Sequence, residues 1–527
     1  MNKGWISPSD INRYTKHEAW EEEMLGTEQR RSLGRSRSRR WRQGQEGTVM
    51  LVMIGVALAS LAWLALVFSP SNNPCWHALS RWQARESLPF LVHDHNDTVE
   101  LPLRNITKEL SVKDIVFGIA GSAKLWRKRQ EFVKLWWKAE EMRGFLWLEE
   151  AVKDSYQSSS SSLPDVRISA DISRFRYTNP KGHPSGLRIA RIVQETFQIG
   201  LPNVKWFVLG DDDTIFNIHN LVSVLKKYDP SEMHYIGGPS ESHSANTYFS
   251  HSMAFGGGGI AISYPLAEEL TQIMDECLER YPQLFGSDDR LHACISEIGV
   301  PLTTEPGFHQ WDIRGNAFGL LAAHPTAPFV SLHHVEAVNP VFPQQNSLDG
   351  LRHLTNAMKI EPTSFLQRSF CYDQKRKLSF SVSMGYVVQV FPKIVYPRVL
   401  DRPELTFKAW NKKEYASEFD FDTRRPYKSS CRKPFLFFLE DVHRNEANMV
   451  VSTYRRDEAT DDMKRRAFCF SWALPPHKVQ QIQVISKPMN ENWHLVPRRQ
   501  CCKLEETKNK VLGISVMPCD QQDSSYV

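Results

Sequence analysis

Several signatures of well-known enzyme classes are missing from this sequence. It has no HExxH motif, no Gly-x-Ser-x-Gly nucleophile elbow, and no glycine-rich loop that ends in Gly-Lys-Ser or Gly-Lys-Thr. No Cys-x-x-Cys pair of the zinc-binding kind occurs among its nine cysteines. These absences count against a metal-dependent hydrolase and against a phosphate-loop nucleotide site.

The chain also has little net charge, +5 over 527 residues, and no internal repeat of fixed period. Much of the basic excess lies in one N-terminal run, RRSLGRSRSRRWR, directly before an apolar segment. No nucleic-acid partner is therefore expected. Hydrophobic residues make up 41% of the chain, which indicates a folded protein, and the length favours about two to four domains.

An uncharged stretch from Thr48 to Phe68 is long enough to cross a bilayer, which needs ~20 apolar residues. A cleaved signal peptide is the alternative, but its apolar region is shorter and lies nearer the terminus. The preceding arginines favour a cytosolic N-terminus, so we expect a type II membrane protein with a lumenal C-terminal part. All nine cysteines and the glycosylation sequons at Asn96 and Asn105 follow this segment, as expected for a lumenal location. The odd number of cysteines leaves at least one thiol unpaired within the chain.

Composition divides the chain into five predicted parts. Apolar runs alternate with helical patterns in the fourth part, which predicts an α/β fold with a mostly parallel sheet between helices. Short β-prone runs such as KLSFSVSMGYVVQVF predict that the last part is β-rich. The parts are a disordered cytoplasmic tail (1–47), the membrane segment (48–68), a lumenal stem (69–110), the α/β domain (111–360) and the β-rich domain (361–527).

Three consecutive carboxylates, Asp211, Asp212 and Asp213, follow the apolar run WFVLG and precede a predicted helix with Asn220 as its N-cap. Ligands of open α/β sheets bind at the carboxyl ends of strands, so the triplet is a candidate site. Adjacent carboxylates repel one another unless a cation is present, and a hard divalent ion would supply that charge. The alternative is a solvated turn, which is a common position for aspartates.

Five stretches in this order resemble one family: KWFVLGDDDTIF, AFGGGGIAISYPLA, YPQLFGSDDRLHACISEIGVPLT, PGFHQWD and FVSLHHVEAV. They are similar to the fringe-like branch of glycosyltransferase family 31, and in particular to plant fringe-like proteins that carry a C-terminal domain of unknown function. The similarity covers residues 110–527. Residues 110–350 resemble fringe and core-1 β1,3-galactosyltransferases, and the remainder resembles the plant group alone.

The resemblance implies a nucleotide-sugar transferase domain of the GT-A type. In that family the aspartate motif binds Mn²⁺ and the diphosphate of a UDP-sugar, which implies this role for Asp211, Asp212 and Asp213, with Asp213 the most direct ligand. A distal histidine ligand is implied at His333, with His334 as the alternative. Mixed carboxylate and imidazole ligands agree with Mn²⁺ better than with Mg²⁺ or Ca²⁺. A histidine that only packs in the core is the structural alternative.

Further roles follow from the same resemblance. The catalytic base is expected in the acidic pair Asp288 and Asp289, with Asp289 preferred, although acidic residues in a first helical turn are also ordinary capping residues. Glycines of the run 256–259 suit close approach of the backbone to a ligand, and a tight turn is the alternative. The residues assigned to the donor pocket are Gly257 and Gly258, and those assigned to substrate contacts are His309, Trp311 and Asp312.

The expected protein is thus a Golgi type II glycosyltransferase that moves a hexose or N-acetylhexosamine from a UDP-sugar to a glycan or glycoconjugate hydroxyl, in β1,3 linkage and with inversion. A catalytically inactive, membrane-anchored glycan-binding or scaffold protein is the competing hypothesis, with the β-rich region as its binding module. A homodimer is one assembly that the sequence allows. The donor, the acceptor and the role of the β-rich region are not encoded in any motif.

Overall fold

The computed structural model describes residues 110–152, 162–410, 419–459, 469, 479–489, 493–495 and 499–519. The predicted membrane segment, the stem, and the sequons at Asn96 and Asn105 lie outside these ranges. Within them, no helix is both long enough and apolar enough to cross a membrane.

The first half of the described chain forms a seven-stranded sheet in the order β3-β2-β1-β4-β7-β6-β8. Four of its six strand pairs are parallel, and β7 runs antiparallel to both of its neighbours. The predicted α/β class is confirmed, with a mixed sheet. The strands are Ile115–Ala120 (β1), Arg143–Leu148 (β2), Asp165–Ile168 (β3), Trp206–Asp211 (β4), Tyr235–Gly237 (β6), Ile260–Ser263 (β7) and Leu302–Thr304 (β8).

Short strands outside this sheet also contribute to the site. Ile215–Phe216 (β5) pairs with Ser331–Leu332 (β10), and Ile313–Gly315 (β9) pairs with Phe407–Ala409 (β14). The helices are Ala123–Val133 (α1), Ser185–Ala190 (α2), Ile192–Gln198 (α3), Ile218–Leu225 (α4), His243–Tyr248 (α5), Tyr264–Arg280 (α6), Ser287–Ile298 (α7), Phe318–Leu321 (α8), Ser347–Ile360 (α9) and Pro397–Leu400 (α10), with 3₁₀ turns at Val112–Asp114, Gly256–Gly258 and Trp493–Leu495.

The central strands are hydrophobic throughout because both faces of the sheet are covered. In β1 every residue is buried, and successive side chains alternate between two hydrophobic clusters. Phe117 joins the cluster that contains Trp136, whereas Val116 joins the cluster of Val193 and Leu270. This double burial fixes the register of β1 and β4 and so fixes where β4 ends, since a slip by one residue would exchange the two faces.

Helix α4 begins earlier than the sequence predicted. Its N-cap is Asn217, whose side chain accepts a hydrogen bond from the Asn220 N–H at 3.2 Å. Asn220 instead donates its side-chain amide to the carbonyls of Phe329 and Pro362. Burial of that amide and its use as a donor explain why an N-cap was the wrong interpretation of Asn220.

The second half of the described chain is β-rich, as predicted. Its eight-stranded sheet has the order β11-β12-β13-β15-β16-β17-β19-β18, and only β17 and β19 pair in parallel. The disulfide Cys371–Cys502 joins its first and last strands. The strands are Arg368–Asp373 (β11), Leu378–Ser383 (β12), Val387–Phe391 (β13), Phe435–Arg444 (β15), Val450–Arg456 (β16), Gln481–Ser486 (β17), Cys501–Lys508 (β18) and Val511–Met517 (β19).

The two sheets share one hydrophobic cluster. Phe318 of α8 packs against Tyr386 and Phe438, which belong to the β-rich half. The β9–β14 pair adds a backbone connection between the halves. The predicted division at residue 360 stays a prediction, but residues from both of its sides meet in this cluster.

Eight of the nine cysteines form four disulfides. Cys277–Cys294 connects α6 to α7, and three further disulfides lie in the β-rich half. The ninth cysteine, Cys75, lies outside the described residues. The neighbours Cys501 and Cys502 belong to two different disulfides. This pairing could not be predicted from the sequence, because spacing alone does not determine connectivity. The four disulfides are Cys277–Cys294, Cys371–Cys502, Cys431–Cys469 and Cys501–Cys519.

Candidate active site

The acidic triplet lies at the carboxyl end of β4, next to the end of β1 in the centre of the sheet. The Asp212 N–H donates to the Ala120 carbonyl at 2.8 Å, so the turn continues the register of the two strands. Thr214 closes the turn, since its hydroxyl accepts from the Asp211 N–H and donates to the Gly257 carbonyl. The side chains of Asp212 and Asp213 are buried, and that of Asp211 is about one-third exposed. The triplet is therefore not a solvated turn.

Arg129 of α1 compensates part of the negative charge. Its guanidinium lies 2.7 Å from Asp212 Oδ1, 3.1 Å from Asp213 Oδ2 and 3.2 Å from Glu336 Oε2. The divalent ion expected from the sequence is therefore not the sole source of positive charge at the triplet. Burial raises the pKa of Asp212 to about 7, and Arg129 opposes that rise. Asp212 consequently faces the protein and supports the site through Arg129.

His333 is the second positive group near the triplet. Its Nε2 lies 3.2 Å from Asp213 Oδ1 and 3.4 Å from Asp211 Oδ2. It follows β10, and the pairing of β10 with β5 brings it to the end of β4. Burial by itself would lower the pKa of His333, but the carboxylates of Asp213 and Asp211 outweigh burial and raise it to about 10. Burial likewise favours a higher pKa for Asp213, but His333 and Arg129 hold that pKa well below its usual range.

Asp211, Asp213 and His333 could hold a metal ion together. Each offers one ligand atom, and these atoms all lie within 4.8 Å of one another. Asp213 Oδ1 is enclosed and receives no well-oriented hydrogen bond, so its lone pairs are available to a cation. The donor set fits Mn²⁺, which accepts carboxylate and imidazole ligands. The structure therefore brings together the three predicted ligands, while the metal itself stays a prediction.

The neighbouring His334 is directed elsewhere. Its Nδ1 lies 3.0 Å from Asp312 Oδ1, and its ring stacks on Trp410 with centroids 4.4 Å apart. On its other side it stacks on His333 at 3.9 Å. His334 therefore supports His333 and does not face the carboxylate triplet. The contact with Trp410, from the β-rich half, could not be predicted from local sequence.

The glycine run 256–259 passes so close to the His333 ring and to Asp288 that its backbone leaves no room for a side chain at Gly256 or Gly257. A Cβ on Gly257 would lie 2.2 Å from the His333 ring, and a Cβ on Gly256 would lie 2.6 Å from Asp288 Oδ1. The Gly258 N–H donates to Gln310 Oε1 at 2.7 Å. The run forms a 3₁₀ turn that leads into strand β7, whereas a phosphate loop leads into a helix, so the rejection of a phosphate loop agrees with the structure. Donor binding by Gly257 and Gly258 stays a prediction.

The two members of the acidic pair at the start of α7 have different environments. Asp288 lines a small cleft together with Asp211 and Gly256. Burial, followed by the charge of Asp211, raises the pKa of Asp288 to about 6. Asp289 Oδ2 instead accepts the Phe285 N–H at 3.3 Å, the geometry of an ordinary capping residue. The structure thus brings Asp288, and not the preferred Asp289, next to the triplet.

The segment PGFHQWD forms the wall behind His334. Asp312 also accepts the Ser240 hydroxyl at 2.5 Å, so both of its oxygens are occupied by protein groups. His309 Nδ1 lies 2.9 Å from Glu241 Oε1, and the Trp311 N–H donates to Glu241 Oε2. Trp311 is buried and has φ +57, a left-handed backbone conformation held by this contact. Contacts of His309, Trp311 and Asp312 with a substrate stay a prediction.

Two family comparisons match most of the described chain. The family described as Fringe-like matches residues 110–323, and the family described as Protein of unknown function, DUF604, matches residues 245–502. Together they cover the sheet with the acidic triplet and most of the β-rich half. The chain thus matches the Fringe-like and DUF604 families over these residues, which confirms the resemblance to fringe-like proteins of glycosyltransferase family 31 with a C-terminal domain of unknown function.

Curated relatives match shorter stretches. Beta-1,3-glucosyltransferase of Homo sapiens is 27% identical over 203 residues, 38% of this chain and 36% of that protein. The Mus musculus protein of the same name is 32% identical over 107 residues, 20% of this chain and 21% of that protein. UDP-GlcNAc:betaGal beta-1,3-N-acetylglucosaminyltransferase 7 of Rattus norvegicus is 30% identical over 130 residues, 21% of this chain and 31% of that protein. The chain thus spans about a fifth to about a third of the length of these relatives.

Proposed function

We propose that this chain is a metal-dependent inverting glycosyltransferase with a GT-A-type catalytic domain. It transfers a hexose or an N-acetylhexosamine from a UDP-sugar to a glycan hydroxyl, in β1,3 linkage. The observation that carries the proposal is the convergence of Asp211, Asp213 and His333 beside Asp288, with ligand atoms within 4.8 Å in the first three. The names of the relatives, which are β1,3-glucosyl- and β1,3-N-acetylglucosaminyltransferases, support the sugar class and the linkage.

The proposed mechanism assigns a separate task to each acidic group. Asp211, Asp213 and His333 would hold Mn²⁺, which when bound supplies positive charge to the departing diphosphate. Asp288 takes the proton of the acceptor hydroxyl as its oxygen bonds to the anomeric carbon and the bond to the UDP oxygen breaks. A base with a pKa near 6 is ionised at neutral pH and still basic enough to accept this proton.

Residues behind these groups keep them in place. Arg129 binds Asp212 and Asp213 from the protein side, so the carboxylate oxygens that face the cleft keep one orientation. Asp312 fixes His334, and the stacked His334 ring fixes the plane of His333. Such preorganisation reduces the rearrangement needed when the ion and the donor bind.

A Golgi lumenal location forms part of the proposal. Four disulfides suit an oxidising compartment, and the apolar stretch 48–68 behind an arginine-rich run suits a type II anchor. A protease-protection experiment on intact microsomes tests the orientation. Protection of the part after residue 68 is expected, and its digestion without detergent would contradict it.

The activity is tested with the full-length chain purified in detergent and a panel of UDP-sugars, each with and without Mn²⁺. Release of UDP from at least one donor, dependent on Mn²⁺, is expected. Asp289→Asn is the matched control for Asp288→Asn because both change an acidic residue in the same helical turn. If no donor is bound or cleaved with Mn²⁺ present, the competing glycan-binding scaffold function is favoured.

A further inference from the structure

A second group of imidazole and carboxylate side chains lies apart from the candidate active site. His243 belongs to α5, His251 to the loop that follows α5, and Asp420 to the segment after β14. Each offers one ligand atom, and the three atoms lie within 4.8 Å of one another. None of these residues has a task in the proposed transfer reaction. We propose that they form a zinc site.

The arrangement of the three side chains is close to that of a metal centre. His243 Nδ1 lies 2.5 Å from Asp420 Oδ1, and His251 Nε2 lies 3.2 Å from Asp420 Oδ2. Ligand atoms around tetrahedral zinc, with bonds of ~2.0–2.2 Å, lie about 3.3 Å from one another. The two imidazole–carboxylate distances are therefore near the distance between ligand atoms around a bound zinc ion.

The backbone holds these ligands together without an ion. Ser242 and Phe419 form an antiparallel bridge, which brings the two chain segments that carry His243 and Asp420 next to each other. Asn246 is buried and donates its side-chain amide to Asp420 Oδ2 at 2.6 Å. Metal binding therefore loses less conformational entropy at such a site than it would between two mobile loops.

The ligand chemistry favours zinc over the ion proposed for the active site. Two imidazoles and one carboxylate are a donor set that zinc accepts readily, whereas Mg²⁺, Ca²⁺ and Mn²⁺ favour sites richer in oxygen. The side chains of His243, His251 and Asp420 are 46%, 58% and 27% exposed, so an ion reaches them directly from solvent. Water can complete the coordination.

The site would join two regions of the chain. His243 and His251 lie within the stretch 235–260, between β6 and β7 of the first sheet. Asp420 lies beyond β14, ten residues after Trp410, which stacks on His334. A bound zinc would therefore connect the residues around Asp420 to the stretch between β6 and β7.

The test is a zinc count on the full-length chain, stripped with a chelator, dialysed against Zn²⁺ and measured by elemental analysis. His251→Ala is expected to bind about one zinc fewer per chain than the unmodified protein, because three ligands become two. His443→Ala is the matched control, since His443 is also an exposed histidine paired with one carboxylate, Asp441. It is expected to bind as much zinc as the unmodified protein. Any zinc bound by Asp211, Asp213 and His333 adds the same amount to the count for the unmodified protein and for both variants.

Asp420→Asn provides a second variant in case His251→Ala does not fold. It keeps the shape and the oxygen acceptor of Asp420 but removes the charge, and zinc affinity is expected to fall at least about tenfold in a chelator competition. Equal zinc binding by the unmodified protein and either folded variant would overturn the proposal. The measurement needs no donor or acceptor, so its result is independent of the proposed transferase activity.

Discussion

The end of β4 and the start of α7 each present consecutive aspartates, yet the two acidic runs differ in their positive neighbours. Asp212 and Asp213 are buried against Arg129, and Asp213 is also 3.2 Å from His333. Among the described residues, no basic side chain forms an ion pair with Asp288, and burial and the charge of Asp211 raise its pKa to about 6. Asp213, whose pKa is lowered, is thus suited to bind a cation, and Asp288, whose pKa is raised, is suited to accept a proton.

The comparison shows that the environment, and not the spacing, distinguishes a ligand from a base. A carboxylate that must bind a cation benefits from a low pKa, which Asp213 has because His333 and Arg129 outweigh its burial. A carboxylate that must accept a proton benefits from a pKa near the working pH. Four substitutions or conditions can break or sharpen this difference.

The largest effect is expected for Asp213→Ala. The change removes a predicted ligand and the buried partner of His333, while Arg129 keeps Asp212. UDP release should fall by about 10³-fold, equivalent to about 4 kcal/mol of transition-state stabilisation. Thermal unfolding of the same sample separates loss of chemistry from loss of fold, and Asp213→Asn, which keeps the side-chain volume, should lose activity to a similar extent. Activity near that of the unmodified protein would remove Asp213 from the ligand set.

Asp288→Asn is expected to lower transfer of the sugar from the UDP donor to an acceptor by about 10²-fold, the lower end of the range for a general base. Asp289→Asn should change it much less, since Asp289 accepts the Phe285 N–H as a capping residue. Initial rates at saturating donor compare the two variants. A larger loss in Asp289→Asn than in Asp288→Asn would reverse the assignment of the base.

Arg129→Gln tests the charge compensation in the absence of metal. Removing one partner of a largely buried ion pair leaves Asp212 and Asp213 facing each other, so the free energy of unfolding should fall by about 3 kcal/mol. Added Mn²⁺ should then stabilise this variant more than the unmodified protein, because the ion replaces the lost positive charge. Urea unfolding with and without Mn²⁺ measures both. An equal Mn²⁺ effect in the two proteins would mean that Arg129 does not act on the metal site.

The smallest effect is the pH dependence of the rate. Asp288 must be ionised to accept a proton, and its raised pKa of about 6 means that this form is lost as the pH falls through that value. The rate should therefore decline about tenfold per pH unit in the acid limb. A profile between pH 5 and pH 8 measures this. The acid limb should persist in Asp289→Asn and vanish in Asp288→Asn, and its persistence in both would assign it to another group.

Much of the fold could be predicted, because strands such as β1 and β4 are buried on both faces and are hydrophobic along their whole length. The position of the triplet at a strand end followed from the same pattern. Arg129 could not be found in this way, since it lies 83 residues before Asp212 and only the packing of α1 brings them together. Its surrounding sequence, KLWRKRQEF, contains several basic residues, and the pattern does not indicate which of them contacts the triplet.

The sequence pattern could not indicate which of two adjacent, identical residues faces the candidate active site. Asp288 and Asp289 both lie in the first turn of α7, and the rotation of the helix decides which one faces Asp211. His333 and His334 follow the same strand, and the partners Asp312 and Trp410 draw only His334 away from the triplet. The Trp410 contact also depends on how the β-rich half packs, which local sequence does not encode.

The central claim, that Asp211, Asp213 and His333 form one metal site, is tested most directly by Mn²⁺ binding to the full-length chain. Electron paramagnetic resonance of free Mn²⁺ measures this with and without UDP. Tight binding of about one ion, strengthened by UDP and weakened at least tenfold in His333→Gln, is predicted. Mn²⁺ binding that is unchanged in His333→Gln, with or without UDP, would contradict the account.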